Sequence, residues 1–121
     1  MLTLSGKWVV WREEGLLPHV IIERLSPSTR EDDLGPKKRI YEEKLRTPDY
    51  FCYDPDTKEL LGWRRIGERY QPLAADGRGF LWCEELSLWI GEWQGTYLNI
   101  ESTWLRFFTP DRTLVPTGIE A

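Results

Sequence analysis

Hydrophobic residues in the first half of the chain form short runs separated by turn residues. Lys7–Trp11 is β-branched and aromatic, which predicts a strand. Val20–Leu25 is apolar except for Glu23 and Arg24, a pattern typical of a central strand covered on both faces. Tyr50–Tyr53 has the same character and predicts a second buried strand.

A helix is predicted between the two buried strands. Ser28 and Glu31 have the spacing of a capping box, and Gly35 followed by Pro36 indicates that the regular helix starts at Pro36. The residues from there to Arg46 are good helix formers. Pro48 then ends the helical pattern, because proline disfavours helical backbone in the residue before it.

The second half of the chain predicts several more strands. Strand candidates are Leu60–Arg65 and Arg69–Leu73 as a hairpin, then Phe80–Trp82, Leu86–Trp93, Tyr97–Ile100 and Trp104–Phe108. Together the pattern predicts an α+β fold with a mixed β-sheet and one main helix. We interpret residues 1–121 as a single domain, with a motif-bearing core at 18–55, C-terminal strands at 60–108 and a loose tail at 109–121.

The composition indicates a folded domain and excludes several other classes of protein. The 121 residues are 40% hydrophobic and 13% aromatic, which suits one folded domain. There is no apolar run long enough for a membrane span and no signal-peptide pattern, so we expect a cytoplasmic protein without membrane contact. Cys52 and Cys83 are isolated and predict free, buried thiols. With His19 as the single histidine, the usual Cys/His zinc sites are excluded.

Charge excludes binding of nucleic acid by overall attraction alone. The net charge is −4, and the acidic excess lies in the second half of the sequence. Residues 1–46 carry nine Lys/Arg and eight Asp/Glu, and residues 47–121 carry seven and twelve. Any contact with DNA would therefore use a local basic patch or a metal ion, and the candidate patch is Lys37-Lys38-Arg39.

Glu23 is the first candidate for chemistry. It interrupts an apolar strand, and its neighbours on the same strand face are Ile21 and Leu25. A carboxylate among aliphatic side chains is costly unless a cation, a metal ion or a hydrogen-bond donor satisfies it. Glu23 is therefore either a metal ligand, the partner of a nearby arginine, or a residue at a strand end that reaches water.

Asp33, Lys37 and Tyr41 form a second candidate group. Their spacing of four residues places them along one face of a helix. Lys37 would then lean towards the strand that carries Glu23 and supply a cation for a phosphate group or an attacking water. The alternative is an ordinary Asp–Lys surface pair above a packed tyrosine, worth a few tenths of a kcal/mol.

These groups together resemble a known family. Segment 18–29, with Asp33, Lys37 and Tyr41 and then segment 48–55, resembles a large bacterial family of restriction endonucleases that have the PD-(D/E)XK nuclease fold. The resemblance is strongest over residues 18–55 and continues more weakly through Leu60–Arg64 and 104–108.

The resemblance implies a metal-dependent endonuclease. A Mg²⁺ or Mn²⁺ ion would activate water for attack on a DNA phosphodiester, with Glu23 as the metal-binding acid and Lys37 as its basic partner. Lys37 would act from the helix, because Leu25 holds the position of the lysine in an E-x-K motif. The resemblance assigns supporting positions to Asp33, Tyr41, Ser26, Ser28 and Thr29.

The sequence also departs from the family pattern. Family members carry a further metal-binding Asp upstream of the position of Trp8, which this sequence does not include, and His19 stands where an Asp is common. The expected result is an N-terminally truncated nuclease with impaired catalysis, in which Glu13, Glu14 or Asp33 is a candidate substitute ligand.

The alternative expectation is a non-catalytic interaction module. Loss of the first strands would leave an aromatic strand edge around Trp8 and Trp11 for another copy of this chain, or a longer paralogue, to cover.

A literal PD…DxK string offers a competing site. Asp49, Asp56 and Lys58 match its letters, but residues 54–58 have the composition of a turn.

Overall fold

The fold was analysed in a computed structural model that describes residues 7–11, 17–97 and 100–116. Within these residues the chain forms eight strands and two short helices. The elements are β1 Lys7–Trp11, β2 Pro18–Arg24, α1 Arg30–Leu34, α2 Pro36–Glu43, β3 Asp49–Asp54, β4 Glu59–Ile66, β5 Arg69–Pro72, β6 Leu81–Cys83, β7 Leu88–Tyr97 and β8 Ile100–Phe108.

The strands form two sheets. The first five are hydrogen-bonded in sequence order, and β2 and β3 are parallel while the other pairs are antiparallel. A parallel pair needs a crossover connection, which α1 and α2 supply. This confirms the predicted α+β fold with a mixed sheet. The last three strands form a separate antiparallel sheet, which the sequence pattern did not distinguish from the first.

The five-stranded sheet is the middle of three layers. Val20 and Ile22 on β2 belong to a core shared with the three-stranded sheet, whereas Ile21 and Leu25 belong to a core shared with the helices. Every residue of β3 is buried. The nearly continuous apolar runs in β2 and β3 follow from this arrangement, because both faces of these strands are covered.

The helical segment begins its regular helix at Pro36, as predicted, but it differs before that residue and ends at Glu43 rather than at Arg46. It divides into α1 and α2 at Gly35, where an added Cβ would lie 2.9 Å from the Glu31 carbonyl oxygen. The predicted capping box is not formed. Thr29 is the N-cap of α1 and makes no capping bond with its side chain, because its hydroxyl lies 2.9 Å from the Ser26 hydroxyl and accepts from the Ser26 amide.

The strands near the C-terminus are longer than predicted. Residues 97 and 100 are not a strand of their own but the facing ends of β7 and β8, which pair from Trp89↔Phe108 to Tyr97↔Ile100. No helix in the described parts of the chain is long and apolar enough to cross a membrane.

The segment after β8 folds back against that strand. Phe108 and Leu114 form a β-bridge, and the Val115 amide donates to the Phe107 carbonyl at 2.9 Å. A turn stabilised by the Thr109 and Asp111 side chains brings these residues back to β8. Residues 117–121 of the predicted tail lie outside the described residues.

A buried carboxylate connects the two sheets. Asp49, at the start of β3, has no exposed surface. It accepts from Arg64 on β4 at 3.0 Å and from the Cys83 thiol on β6 at 3.4 Å. The Glu85 amide, in the turn after β6, donates to the same carboxylate at 2.9 Å. The two sheets are therefore joined by polar contacts as well as by the apolar core.

Candidate functional site

Glu23 lies near the end of β2, on the face that the helices cover. Only 2% of its surface is exposed. The strand register places it between Lys7 on β1 and Cys52 on β3. Since Ile21 and Leu25 share its side of the strand, the carboxylate is surrounded by apolar groups and depends on nearby cations.

Lys37 supplies the closest cation. Its Nζ lies 2.5 Å from Glu23 Oε2 and 3.1 Å from Asp33 Oδ1. The side chain reaches the site from the first turn of α2 and remains 33% exposed, whereas Asp33 is 2% exposed. The structure thus brings together the strand carboxylate and the helix amine, with Asp33 contacting the amine from a second direction.

Tyr41 and Lys7 form the second side of the site. Lys7 Nζ lies 3.8 Å from Glu23 Oε1 and donates to the Tyr41 hydroxyl at 2.8 Å. Lys7 was missed by the sequence reasoning. The antiparallel register of β1 against β2 pairs Lys7 with Glu23. Neither strand's sequence shows that register by itself, so Lys7 could not be placed at the site from the sequence.

A hydrogen bond from β3 holds the break between α1 and α2 in position over the sheet. The hydroxyl of Tyr50, a fully buried residue of β3, donates to the Asp33 main-chain carbonyl at 2.7 Å. This bond fixes the end of α1 above the sheet. Asp33 and Lys37 consequently keep the i, i+4 relation although they belong to different helices.

Burial and charge determine the protonation of the central pair. Burial raises the pKa of Glu23 above its ordinary value, and Lys37 and Lys7 only partly offset the increase. Burial alone would lower the pKa of Lys37, but its hydrogen bonds to Glu23 and Asp33 outweigh that effect and raise the pKa. The two directions are compatible, because the lysine is stabilised as a cation only while its partners are ionised.

The other predicted supporting residues lie in the turn between β2 and α1. The Ser26 hydroxyl lies 3.2 Å from that of Ser28 and 2.9 Å from that of Thr29. Among the described residues these hydroxyls bond to one another and to backbone, and none bonds to Glu23 or Lys37. Their hydrogen bonds hold the turn closed.

His19, which stands where the family often has an Asp, lies away from the Glu23 site. His19 lies at the opposite end of β2, where its Nε2 contacts Glu85. Glu13 and Glu14 lie outside the described residues.

The literal PD…DxK residues are not brought together. Asp49 starts β3 and is occupied by Arg64, whereas Asp56 and Lys58 lie in the exposed turn after β3 ends. At about 3.3 Å per residue, the two ends of this strand are roughly 17 Å apart. The three residues therefore form no common site.

Glu23 and Asp33 are the carboxylates of this site that could bind a metal ion. In the described part of the chain no group of three or more His, Cys, Asp or Glu residues is arranged to hold a metal ion. Glu23 and Asp33 offer two carboxylates that share one amine, and the buried Oε1 of Glu23 has no hydrogen-bond partner among the described residues. Hard oxygen donors of this kind fit Mg²⁺, which is often bound by one or two carboxylates with water and substrate oxygens.

A mixed five-stranded sheet with a helical crossover between its parallel strands is consistent with a restriction-endonuclease-like core. Comparison with protein families matches residues 3–99 to the family Uma2, described as "Putative restriction endonuclease". Because the match covers most of the chain, the protein belongs to this family. No curated protein matches the chain. Family membership supports a nuclease-like function in general terms.

Proposed function

We propose that the protein is a metal-dependent endonuclease that hydrolyses DNA phosphodiester bonds at the site formed by Glu23 and Lys37. The observation that carries the proposal is the 2.5 Å contact between a buried strand carboxylate and a helix amine, in a chain of a restriction endonuclease family. A buried ion pair with one partner open to solvent is typical of a site that meets a charged ligand.

Lys37 is the group that meets the substrate. Its side chain is one-third exposed, and its raised pKa keeps the amine protonated at neutral pH. An ammonium group beside the scissile phosphate attracts the ground state and stabilises the extra negative charge of the transition state. Asp33 and Glu23 hold the amine in position from two sides.

Glu23 acts on the water or the metal ion. Burial raises its pKa, which makes the carboxylate a stronger base than an exposed glutamate. Glu23 and Asp33 would hold Mg²⁺ or Mn²⁺, and such an ion supplies neutralisation of phosphate charge when bound. Two carboxylates hold a hard cation weakly, so we propose slow turnover that needs millimolar metal.

The proposal includes the substrate and the cellular location of the protein. DNA is the substrate and partner, and the protein works in the cytoplasm. The thiol state of Cys52 and Cys83 supports that location, because both are free and buried, as is usual in a reducing compartment.

Plasmid cleavage tests the proposal. Supercoiled plasmid incubated with the wild-type protein and Mg²⁺ or Mn²⁺ is expected to be nicked and then linearised, and excess chelator is expected to stop the reaction. Intact plasmid in both metals, with protein in molar excess over DNA, would contradict the proposal.

A second candidate function is self-association through β1. In the described residues β1 is the outer strand of the five-stranded sheet, and 56% of Trp11 is exposed. Strand edges of this kind pair with a second copy. Light scattering over a hundredfold range of concentration is expected to show a dimer that Trp11→Lys dissociates. Ile66→Lys changes an equally exposed apolar residue away from β1 and is the matched control. A monomer at every concentration would remove this candidate.

A further inference from the structure

A second cationic cluster lies on the helix side of the five-stranded sheet. At the end of α2, a cavity of about 230 Å³ is lined by Glu43, Arg46, Arg65, Glu68 and Arg69. Arg65 shares this side of the sheet with Leu61 and Trp63, because alternate residues of β4 face the same way. The cavity is therefore on the same side of the sheet as Glu23.

The arginines leave a net positive charge in this cavity. Three guanidinium groups face two carboxylates there, although the whole chain carries a net charge of −4. Arg65 donates from Nε to the Glu42 carbonyl at 3.0 Å, which fixes its position. Arg46 and Arg69 are exposed, and neither forms an ion pair with another residue in the described ranges. Their donors are therefore available to an anion.

The backbone of Arg46 is also unusual. Its φ of 51° lies in the left-handed region, which glycine adopts freely and other residues disfavour. The position lies three residues after the end of α2, in the turn that leads to β3.

Basic and aromatic groups connect this cavity to Lys37. Lys38 Nζ lies 4.4 Å from the centre of the Trp63 ring, and Trp63 is two residues from Arg65 on β4. From Lys37 to Glu43 the helix rises about 9 Å. At about 3.4 Å of rise per nucleotide in one strand, that distance corresponds to roughly three nucleotides.

We propose that the cavity binds a backbone phosphate of the DNA strand, roughly three nucleotides from the bond held at Lys37. The inference rests on the proposed nuclease function and adds a phosphate-anchoring site to it. Guanidinium groups are well suited to this role, because their paired N–H donors match phosphate oxygens. At this place the positive charge of the arginines offsets the net negative charge of the chain.

DNA binding without cleavage tests the inference. A fluorescein-labelled duplex is titrated with protein in chelator, and anisotropy gives the affinity at several salt concentrations. Arg46→Gln/Arg69→Gln is expected to bind about tenfold more weakly. Its slope of log affinity against log salt is expected to fall by one to two. Arg112→Gln is the matched control, since it removes an exposed arginine with φ of 73° outside the cavity, and its affinity is expected to equal that of the wild type.

The outcomes separate this inference from the proposed function. Wild-type affinity and salt slope in the double variant would overturn the inference even if the protein cleaves plasmid. Arginine-dependent binding without any cleavage would support the inference and contradict the nuclease activity. If circular dichroism shows that the double variant is unfolded, Arg69→Gln alone decides the question, with an expected loss of about threefold and the wild-type affinity as the contradicting result.

Discussion

Glu23→Gln is expected to reduce plasmid cleavage by at least about 100-fold, because the amide neither accepts a proton nor provides an ionised ligand. The change keeps the size of the side chain, so its effect on the surrounding apolar core is small. Initial rates of nicking under identical metal and protein concentrations measure the loss.

The same variant is expected to be as stable as the wild type at pH 7, or more stable. Burial raises the pKa of Glu23, so the folded state binds its proton more tightly than the unfolded state does. The resulting stabilisation is present at acidic pH and is lost as the pH rises through the folded-state pKa. The ionised carboxylate is therefore a cost at neutral pH, which Gln removes, and Lys37 keeps Asp33 as a partner.

Unfolding in urea, followed by tryptophan fluorescence, measures this stability. Glu84→Gln is the matched control, because it neutralises an exposed carboxylate in the turn after β6 that accepts from Trp82 and, within the described ranges, contacts no residue of the Glu23 site. Cleavage by Glu23→Gln at the wild-type rate would remove Glu23 from the proposed site, and loss of cleavage together with unfolding would show a structural role only.

Lys37→Met is expected to lower the free energy of unfolding by about 2–4 kcal/mol at pH 7. Removing one partner of a fully buried ion pair costs roughly 3–5 kcal/mol. We expect a smaller loss here because the Lys37 side chain is 33% exposed. In addition, Lys7 remains 3.8 Å from Glu23 as a second cation. The loss arises because Glu23 and Asp33 stay buried without their shared cation.

The deficit in Lys37→Met is expected to shrink as the pH falls from 8 towards 5. Without the lysine, the pKa of Glu23 rises further above its ordinary value, since burial is then opposed by Lys7 alone. Protonation removes the buried charge, and stability returns at acidic pH. Urea unfolding at a series of pH values gives the dependence.

Two further variants complete the test. Glu23→Gln/Lys37→Met is expected to be more stable at pH 7 than Lys37→Met, because the uncompensated Glu23 charge is gone. Lys44→Met removes an exposed lysine at the end of α2 and is expected to leave stability within about 0.5 kcal/mol of the wild type. Equal stability of the single and double variants would contradict the proposed coupling of Glu23 with Lys37.

Much of the fold was readable from local patterns. The two buried strands are apolar on both faces because the helices cover one side and the second sheet covers the other. The division into two sheets was not readable, because alternation shows that a strand has a buried face but not which layer covers it. The start of the regular helix at Pro36 was readable from Gly35 and Pro36, whereas the short helix α1 before it was not.

The site was predictable where it depended on spacing along the chain. Asp33, Lys37 and Tyr41 share a face because i, i+4 contacts survive the break between α1 and α2. Lys7 and the arginine-lined cavity depend on contacts between distant segments, and no local pattern contains that information. The functional roles of Glu23 and Lys37 remain predictions that the cleavage experiments test.

The hydrogen bonds of Asp49 have a consequence for how the protein unfolds. Its carboxylate is satisfied only while β4 and the turn after β6 are both in place. Detaching the three-stranded sheet would remove the Cys83 and Glu85 donors from Asp49 and would expose the apolar core that the two sheets share. We therefore expect the two sheets to unfold in one cooperative transition, and a chain shortened after β5 to lose stability in β2 and β3, the strands that carry Glu23 and Asp49.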